Sequence, residues 1–370
     1  MKRVGFIWEK IISIENIKLA HKHARKDKSF YREVKMVDAN LDYYAKEIQK
    51  MLINKSYKVS NYRIQVIDDK GKERKLMKLQ YYPDRIIQWA VMLQLEPVFM
   101  KSFCYHTCAS LPGRGIDRAW KLTRKYLRDK KGCKYCLKID VRKFYDNINH
   151  EILKKKLRKK IKDVNVLWLL DSIIDSYPDS TGVPIGSYLS QYFANFYLSD
   201  FDHYLKEDLQ IKYLVRYMDD CVIFGNTKSI LHEVLKLIKA YLQNELLELK
   251  KNYQIFSTGV RGVDFVGYRF FGNYILLRKK SVKAMRRLCY KILSKMRKNK
   301  MINFTDFCGI NSYAGMFQYC DGYRLFSKYM EPIRPAIFKY YKDRILKSKS
   351  KSRYREYINN FNSKKTARVA

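Results

Sequence analysis

Two adjacent carboxylates in Tyr217-Met218-Asp219-Asp220 lie between the apolar runs Tyr213-Leu214-Val215 and Cys221-Val222-Ile223-Phe224. This pattern predicts strand, tight turn and strand, with both carboxylates at the tip. Two-residue hairpin turns favour Asn-Gly or Asp-Gly, because their central residues take positive φ. Asp-Asp is a poor choice there and sets like charges side by side, as expected where a site requires them. A third carboxylate, Asp140, ends the apolar strand Cys136-Leu137-Lys138-Ile139. A charge at the exit of a buried strand is costly unless it is paired or binds metal. Singly, Asp140 also reads as a helix cap and Asp219-Asp220 as an exposed turn. Meeting on one sheet surface, the three would offer hard oxygen ligands to Mg2+. Two such ions about 3.5–4 Å apart can clamp the attacking and leaving oxygens of an in-line phosphoryl displacement.

The 370-residue chain is 47% hydrophobic, enough for a packed core and two or three subdomains. Its 76 basic and 36 acidic residues give a formal net charge of +40, spread along the whole length. A solvated surface alone would not call for such self-repulsion, so a long polyanion, nucleic acid, is the expected partner. No apolar run approaches the roughly 20 residues that cross a bilayer. The N-terminus is basic but lacks a long apolar segment and a small-residue cleavage site. A cytoplasmic protein with reduced cysteines is expected, with no membrane partner. Cys104, His106, Cys108, Cys133 and Cys136 have spacings compatible with zinc. Cys136, however, lies within an apolar strand, where free cysteine behaves as a small hydrophobe.

These carboxylates need elements to position them. Residues 10–55 carry helical periodicity. Alternation at 62–67 and 73–79, around a turn at 68–72, predicts a basic hairpin. A helix follows Pro83 and is expected to end near Glu96-Pro97. Glycines mark a loop at 111–115, ahead of a helix at 116–128. A strand at 134–140 leads to a basic helix from Asn149. The loop Gly182-Val183-Pro184-Ile185-Gly186 opens a helix with Leu189, Phe193, Phe196 and Tyr197 on its apolar face. An amphipathic helix is expected at 229–248, a strand at 262–270, and a turn at Gly272-Asn273 into 274–277. From Lys279 the chain turns helical and basic, and 347–370 reads as a mobile tail.

Asp140-Val141-Arg142-Lys143-Phe144-Tyr145, then Pro184-Ile185-Gly186-Ser187-Tyr188-Leu189-Ser190-Gln191, then Tyr217-Met218-Asp219-Asp220 resemble reverse transcriptases in order and spacing. Gly262-Val263-Asp264-Phe265-Val266-Gly267-Tyr268 is similar to their primer-grip strand pair. The resemblance spans about residues 60–340 and implies an α+β, right-hand polymerase fold. Its parts would be an N-terminal helical extension (1–60), fingers and palm (61–278), a helical thumb (279–345) and a basic tail (346–370). It further implies an RNA-directed DNA polymerase using two Mg2+ ions, or Mn2+, on Asp140, Asp219 and Asp220.

By the same resemblance Tyr145 is the steric gate against a ribose 2′-hydroxyl. Arg114 matches the fingers residue that clamps the incoming triphosphate, and Lys250 or Lys251 the lysine near the leaving phosphate. Gly186 lies where backbone approaches the nascent base pair. Gly267, Tyr268, Lys279, Lys280, Lys283, Arg286 and Arg287 would contact template and primer. Most relatives carry Gln before the glycine and Pro after the serine; here these are Ile185 and Gln191. This form resembles reverse transcriptases of diversity-generating retroelements, where the aliphatic residue accompanies error-prone copying, and some of antiphage defence. The implied partners are an RNA template, nascent DNA, dNTPs, a structured noncoding RNA and a small basic accessory protein. No segment of normal size is expected to remain for an RNase H or endonuclease domain. A defence enzyme making cDNA from noncoding RNA is the alternative, and a catalytically inactive RNA-binding scaffold the alternative of another class.

Overall fold

The computed structural model describes residues 3–68 and 73–345. The expected tail at 346–370 and turn residues 69–72 lie outside them. The chain separates into two compact units, Met1–Leu122 with Leu137–Ile255, and Thr123–Cys136 with Phe256–Ala370.

In the first unit the helical periodicity resolves into four helices, α1 (Trp8–Ile12), α2 (Ile14–Ala24), α3 (Arg32–Ala39) and α4 (Leu41–Ile53). Ser13 separates the first two and caps α2 by accepting from the Asn16 N–H. Each helix buries a stripe, such as Ile17, Ala20 and Ala24 on α2. Strands β1 (Arg63–Asp68) and β2 (Glu73–Lys78) pair antiparallel as the alternation predicts. Helix α5 (Ile86–Ser102) does not end at Pro97 as expected but continues past it. Val98 and Phe99 are buried there, and the Phe99 ring packs edge-on against Phe196 at 5.1 Å. This apolar burial outweighs the hydrogen bond that proline cannot make.

There follow α6 (Ile116–Tyr126), β3 (Tyr135–Asp140), α7 (His150–Lys160), α8 (Val164–Ile174), α9 (Tyr188–Tyr197), α10 (Ser199–His203), β4 (Tyr213–Tyr217), β5 (Asp220–Gly225), α11 (Lys228–Asn244) and β6 (Gln254–Ser257). Four strands form a sheet in the order β4-β5-β3-β6. Helix α11 packs on β5 and buries Leu231, Val234, Leu235 and Ile238. Helix α9 lies against α5 and α7, and Leu189, Phe193, Phe196 and Tyr197 are all buried as expected.

The second unit contains α12 (Thr258–Arg261), β7 (Val263–Phe265), β8 (Tyr268–Phe270), β9 (Ile275–Leu277), α13 (Lys279–Arg297), α14 (Phe304–Met316), α15 (Tyr323–Tyr329) and α16 (Arg334–Tyr340). The single strand expected at 262–270 is an antiparallel pair, β7 and β8, turning at Val266-Gly267. Both turn residues have positive φ, 42° and 94°, the requirement of a type I′ hairpin. Helices α13 and α14 pack together, and Met285, Cys289, Ile292, Phe307 and Ile310 are all buried. Asp306, 1% exposed, is held there by Lys291 and Lys295.

Among the described residues the eight cysteines form no disulfide, and Cys136 is wholly buried in β3. No described helix is long and apolar enough to cross a membrane.

Candidate active site

The register of β4 on β5 pairs Tyr217 with Asp220, so Met218 and Asp219 form the two-residue turn. The expected Asp-Asp tip is thus shifted by one residue: Asp219 is in the turn and Asp220 opens β5. Met218 takes the positive φ, 58°, where a hairpin normally places glycine. That conformation costs on the order of 1 kcal/mol in a residue with a Cβ.

Arg216 holds it in place. Its side chain is 1% exposed, and Nη1 donates to the Met218 carbonyl at 2.8 Å. Nε and Nη2 form a two-pronged ion pair with Asp202 of α10, both at 2.6 Å. The same guanidinium donates to Asn195 Oδ1 of α9 at 3.3 Å, and the Thr107 hydroxyl donates to Asp202 at 2.5 Å. Its backbone joins the loop before Cys108: the Arg216 N–H donates to the His106 carbonyl at 3.1 Å, and the Cys108 N–H to the Arg216 carbonyl at 2.9 Å. Neither Arg216 nor Asp202 stands out from the motifs. The available signal was a lone cation within Tyr213-Leu214-Val215-Arg216-Tyr217.

The exit of β3 is tied to this turn, because the Val141 N–H donates to the Asp219 carbonyl at 3.2 Å. Asp140 is thereby brought to the hairpin. The Lys250 N–H donates to the Asp140 carbonyl at 2.8 Å, and its Nζ to Asp140 Oδ1 at 2.5 Å. Of the two lysines that the sequence leaves open, Lys250 is therefore the one at the carboxylates. Lys138, two residues before Asp140 on the same face of β3, stands 3.7 Å from Asp220 Oδ2. Burial, then Asp140, and more weakly Asp220 raise the Asp219 pKa to about 6, while Lys250 opposes them.

Among the described residues no three His, Cys, Asp or Glu side chains close into a finished metal cage. The donors nevertheless fit Mg2+, which takes one or two carboxylates and completes its shell with water and substrate phosphates.

Tyr145 follows β3 in a 3-10 turn. Burial, then the Asp219 carboxylate, push its phenol pKa well above the ordinary range. The Tyr145 carbonyl accepts from the Val183 N–H at 3.0 Å, joining the turn to the glycine loop. In that loop Gly186 has φ 111°, and an added Cβ would meet nothing within 4 Å. Glycine is needed for its backbone conformation, and the space above it is open. Ile185 and Gln191 are half-buried. Ser187 caps α9 and donates to the buried Gln88 of α5 at 2.6 Å.

Arg114, the expected triphosphate clamp, is half-buried in the loop before α6. Its Nη1 donates to the Cys104 and Thr107 carbonyls at 2.7 and 2.9 Å. It braces this loop, because carbonyls turned inward need a donor. In the second unit Gly267 lies in the β7–β8 turn, but Tyr268 is 4% exposed and donates to the Met316 carbonyl at 3.2 Å. The Tyr268 side chain therefore packs in the interior of this unit. Lys279, Lys280, Lys283, Arg286 and Arg287 are all exposed on the first turns of α13. That helix has no acidic residue in its first turn, so cations sit at its positive end, an arrangement an anion would relieve.

Asp202→Ala leaves the Arg216 charge buried alone and is expected to cost about 3–5 kcal/mol. Asp202→Ala/Arg216→Met should lose clearly less by thermal denaturation; equal losses would exclude a stranded charge as the cause. For Asp219, the folded pKa of about 6 lies above the ordinary 3.8. Its contribution to stability is present below the ordinary value and fades as pH rises through 6. In metal-free buffer Asp219→Asn should therefore gain on the order of 2 kcal/mol over wild type between pH 4 and pH 7. Parallel stability–pH curves would contradict this.

Residues 44–270 match the family described as reverse transcriptase (RNA-dependent DNA polymerase). Protein YkfC of Escherichia coli is 27% identical over 155 residues, 39% of this chain and 40% of YkfC. The group II intron-encoded protein LtrA of Lactococcus lactis is 25% identical over 191 residues, 48% of this chain and 31% of LtrA. The chain thus spans less than half the length of these curated relatives. Telomerase from Candida albicans, solved with a fragment of telomeric RNA, aligns with a TM-score of 0.48 at 14% identity, covering 90% of this chain and 65% of that one. The family match includes Asp140, Tyr145, Gly186, Asp219 and Asp220, and it runs through all four strands of the central sheet. With its antiparallel sheet and packed helices this is a right-hand polymerase fold, and the chain belongs to the reverse transcriptase family.

Proposed function

We propose that this protein is an RNA-directed DNA polymerase that extends a primer with deoxynucleotides on an RNA template. The observation that carries this reading is the hydrogen bond from Val141 to Asp219, which ties the exit of β3 to the hairpin turn. It gathers Asp140, Asp219 and Asp220 at one place in a strongly basic chain. In the reaction the primer 3′-oxygen bonds to the α-phosphorus as the bond to pyrophosphate breaks. Asp140, Asp219 and Asp220 are the residues that would hold Mg2+, or Mn2+. Bound there, the ions supply polarisation of the attacking oxygen and offset the charge of the leaving group. Lys250, which donates to Asp140, would give a proton to the departing pyrophosphate. Tyr145, in the turn after β3, would be the sugar gate, and the open space over Gly186 would admit the nascent base pair. The Gly267 turn and the basic turns of α13 take template and primer, with affinity falling steeply with salt.

The test is extension of a primed RNA template with Mg2+ and dNTPs. Wild type should yield full-length cDNA, and Asp219→Ala/Asp220→Ala none above background. Equal product from both would sink the enzyme reading in favour of an RNA-binding scaffold.

The finer reading is a low-fidelity enzyme of a diversity-generating retroelement, acting with a structured noncoding RNA and a small basic accessory protein. Ile185 supports it: an aliphatic residue beside Gly186 has no polar group with which to check the incoming nucleotide. The intron-encoded origin of LtrA supports a retroelement setting. Antiphage defence would use the same chemistry in different genomic surroundings. Ile185→Gln should lower misincorporation opposite template adenines severalfold when the cDNA is sequenced; unchanged error rates would remove the idea.

A further inference from the structure

We propose that a basic, aromatic-walled cleft in the second unit binds a single-stranded nucleic-acid segment, stacking a base on Tyr274 and taking its phosphates on Lys130 and Lys134. None of these residues belongs to the carboxylate site. The cleft holds about 350 Å³, within the range of small-ligand pockets. It lies by the β8–β9 turn, at the opposite end of β8 from Gly267.

One wall is a rigid pair of rings. Phe271 and Tyr274 stack with centroids 4.5 Å apart and planes 16° apart. The Phe271 N–H donates to the Tyr274 carbonyl at 2.9 Å, which clamps the turn beneath them. Tyr274 is nonetheless 46% exposed. A large ring fixed on one side and left in water is a platform for another ring. The other wall carries Lys130 and Lys134, both exposed and without an ion pair among the described residues. The Thr258 hydroxyl donates to the Cys133 carbonyl at 2.7 Å, and the Thr258 N–H to the Lys134 carbonyl at 3.0 Å, which fix that wall. No carboxylate lines the cleft, so nothing there opposes an anion. Stacking and point charges together suit a nucleotide of any base, in RNA or DNA.

The test does not depend on catalysis, so its failure is separate from failure of the polymerase reading. Short single-stranded RNA and DNA oligonucleotides carrying 4-thiouridine or 4-thiothymidine would be photocrosslinked to the full chain and mapped by mass spectrometry. Crosslinks within residues 127–134 or 257–274 are expected; crosslinks confined elsewhere overturn the proposal. By fluorescence anisotropy, Tyr274→Ala should weaken binding of the same oligonucleotides about tenfold with an unchanged melting temperature. Lys130→Ala/Lys134→Ala should flatten the salt dependence by roughly 1.4 in slope, for two phosphates. Unchanged affinity and slope in these variants also overturn it. Stronger loss with the RNA assigns the cleft to RNA, and with the DNA to the product strand.

Discussion

Arg216 carries a charge that water cannot reach, and desolvating it alone would be prohibitive. It is tolerated because Asp202 answers two of its nitrogens and Met218 and Asn195 answer a third. Buried ion pairs are rarely the source of a fold's stability. The use of this one is geometric. It joins β4 to α9 and α10, its backbone locks onto the loop before Cys108, and its remaining donor pins the Met218 carbonyl. Met218 can then stay in a left-handed conformation that suits glycine, and Asp219 stays at the turn. The anchored turn then presents the Asp219 carbonyl to which the Val141 N–H ties the exit of β3.

The charges around that anchor are arranged against the trend of the whole chain. A protein with a net charge of +40 gathers Asp140, Asp219 and Asp220, and raises the pKa of one of them by burial and then by crowding. Lys250 and Lys138 stand where cations are wanted. A divalent ion would relieve the same repulsion more completely, since it can meet two carboxylates at once. Elsewhere the positive charge is left facing water, on the first turns of α13 and along the Lys130–Lys134 wall, where phosphate is the natural counter-charge.

Much of this was legible in the sequence because it is encoded locally. Apolar runs on either side of Tyr217-Met218-Asp219-Asp220 specify a hairpin, helical spacing specifies α9 and its buried face, and Asp140 ends a strand by its position in an apolar run. Order and spacing of three short motifs sufficed for the family. These signals depend on periodicity and turn chemistry over a few residues. Tertiary structure decided the rest. Strand register, not composition, put Met218 rather than Asp220 in the turn. Packing against Phe196 carried α5 past Pro97, and inward-facing carbonyls took the Arg114 guanidinium. Lys250 was chosen over Lys251 by a contact with a residue more than a hundred positions away. Arg216 and Asp202 are separated by only 14 residues, yet their union requires a helix and a strand to be packed first. A chain states what each segment prefers; which side chains meet depends on packing and the desolvation that comes with it, and these exist only once the segments are together.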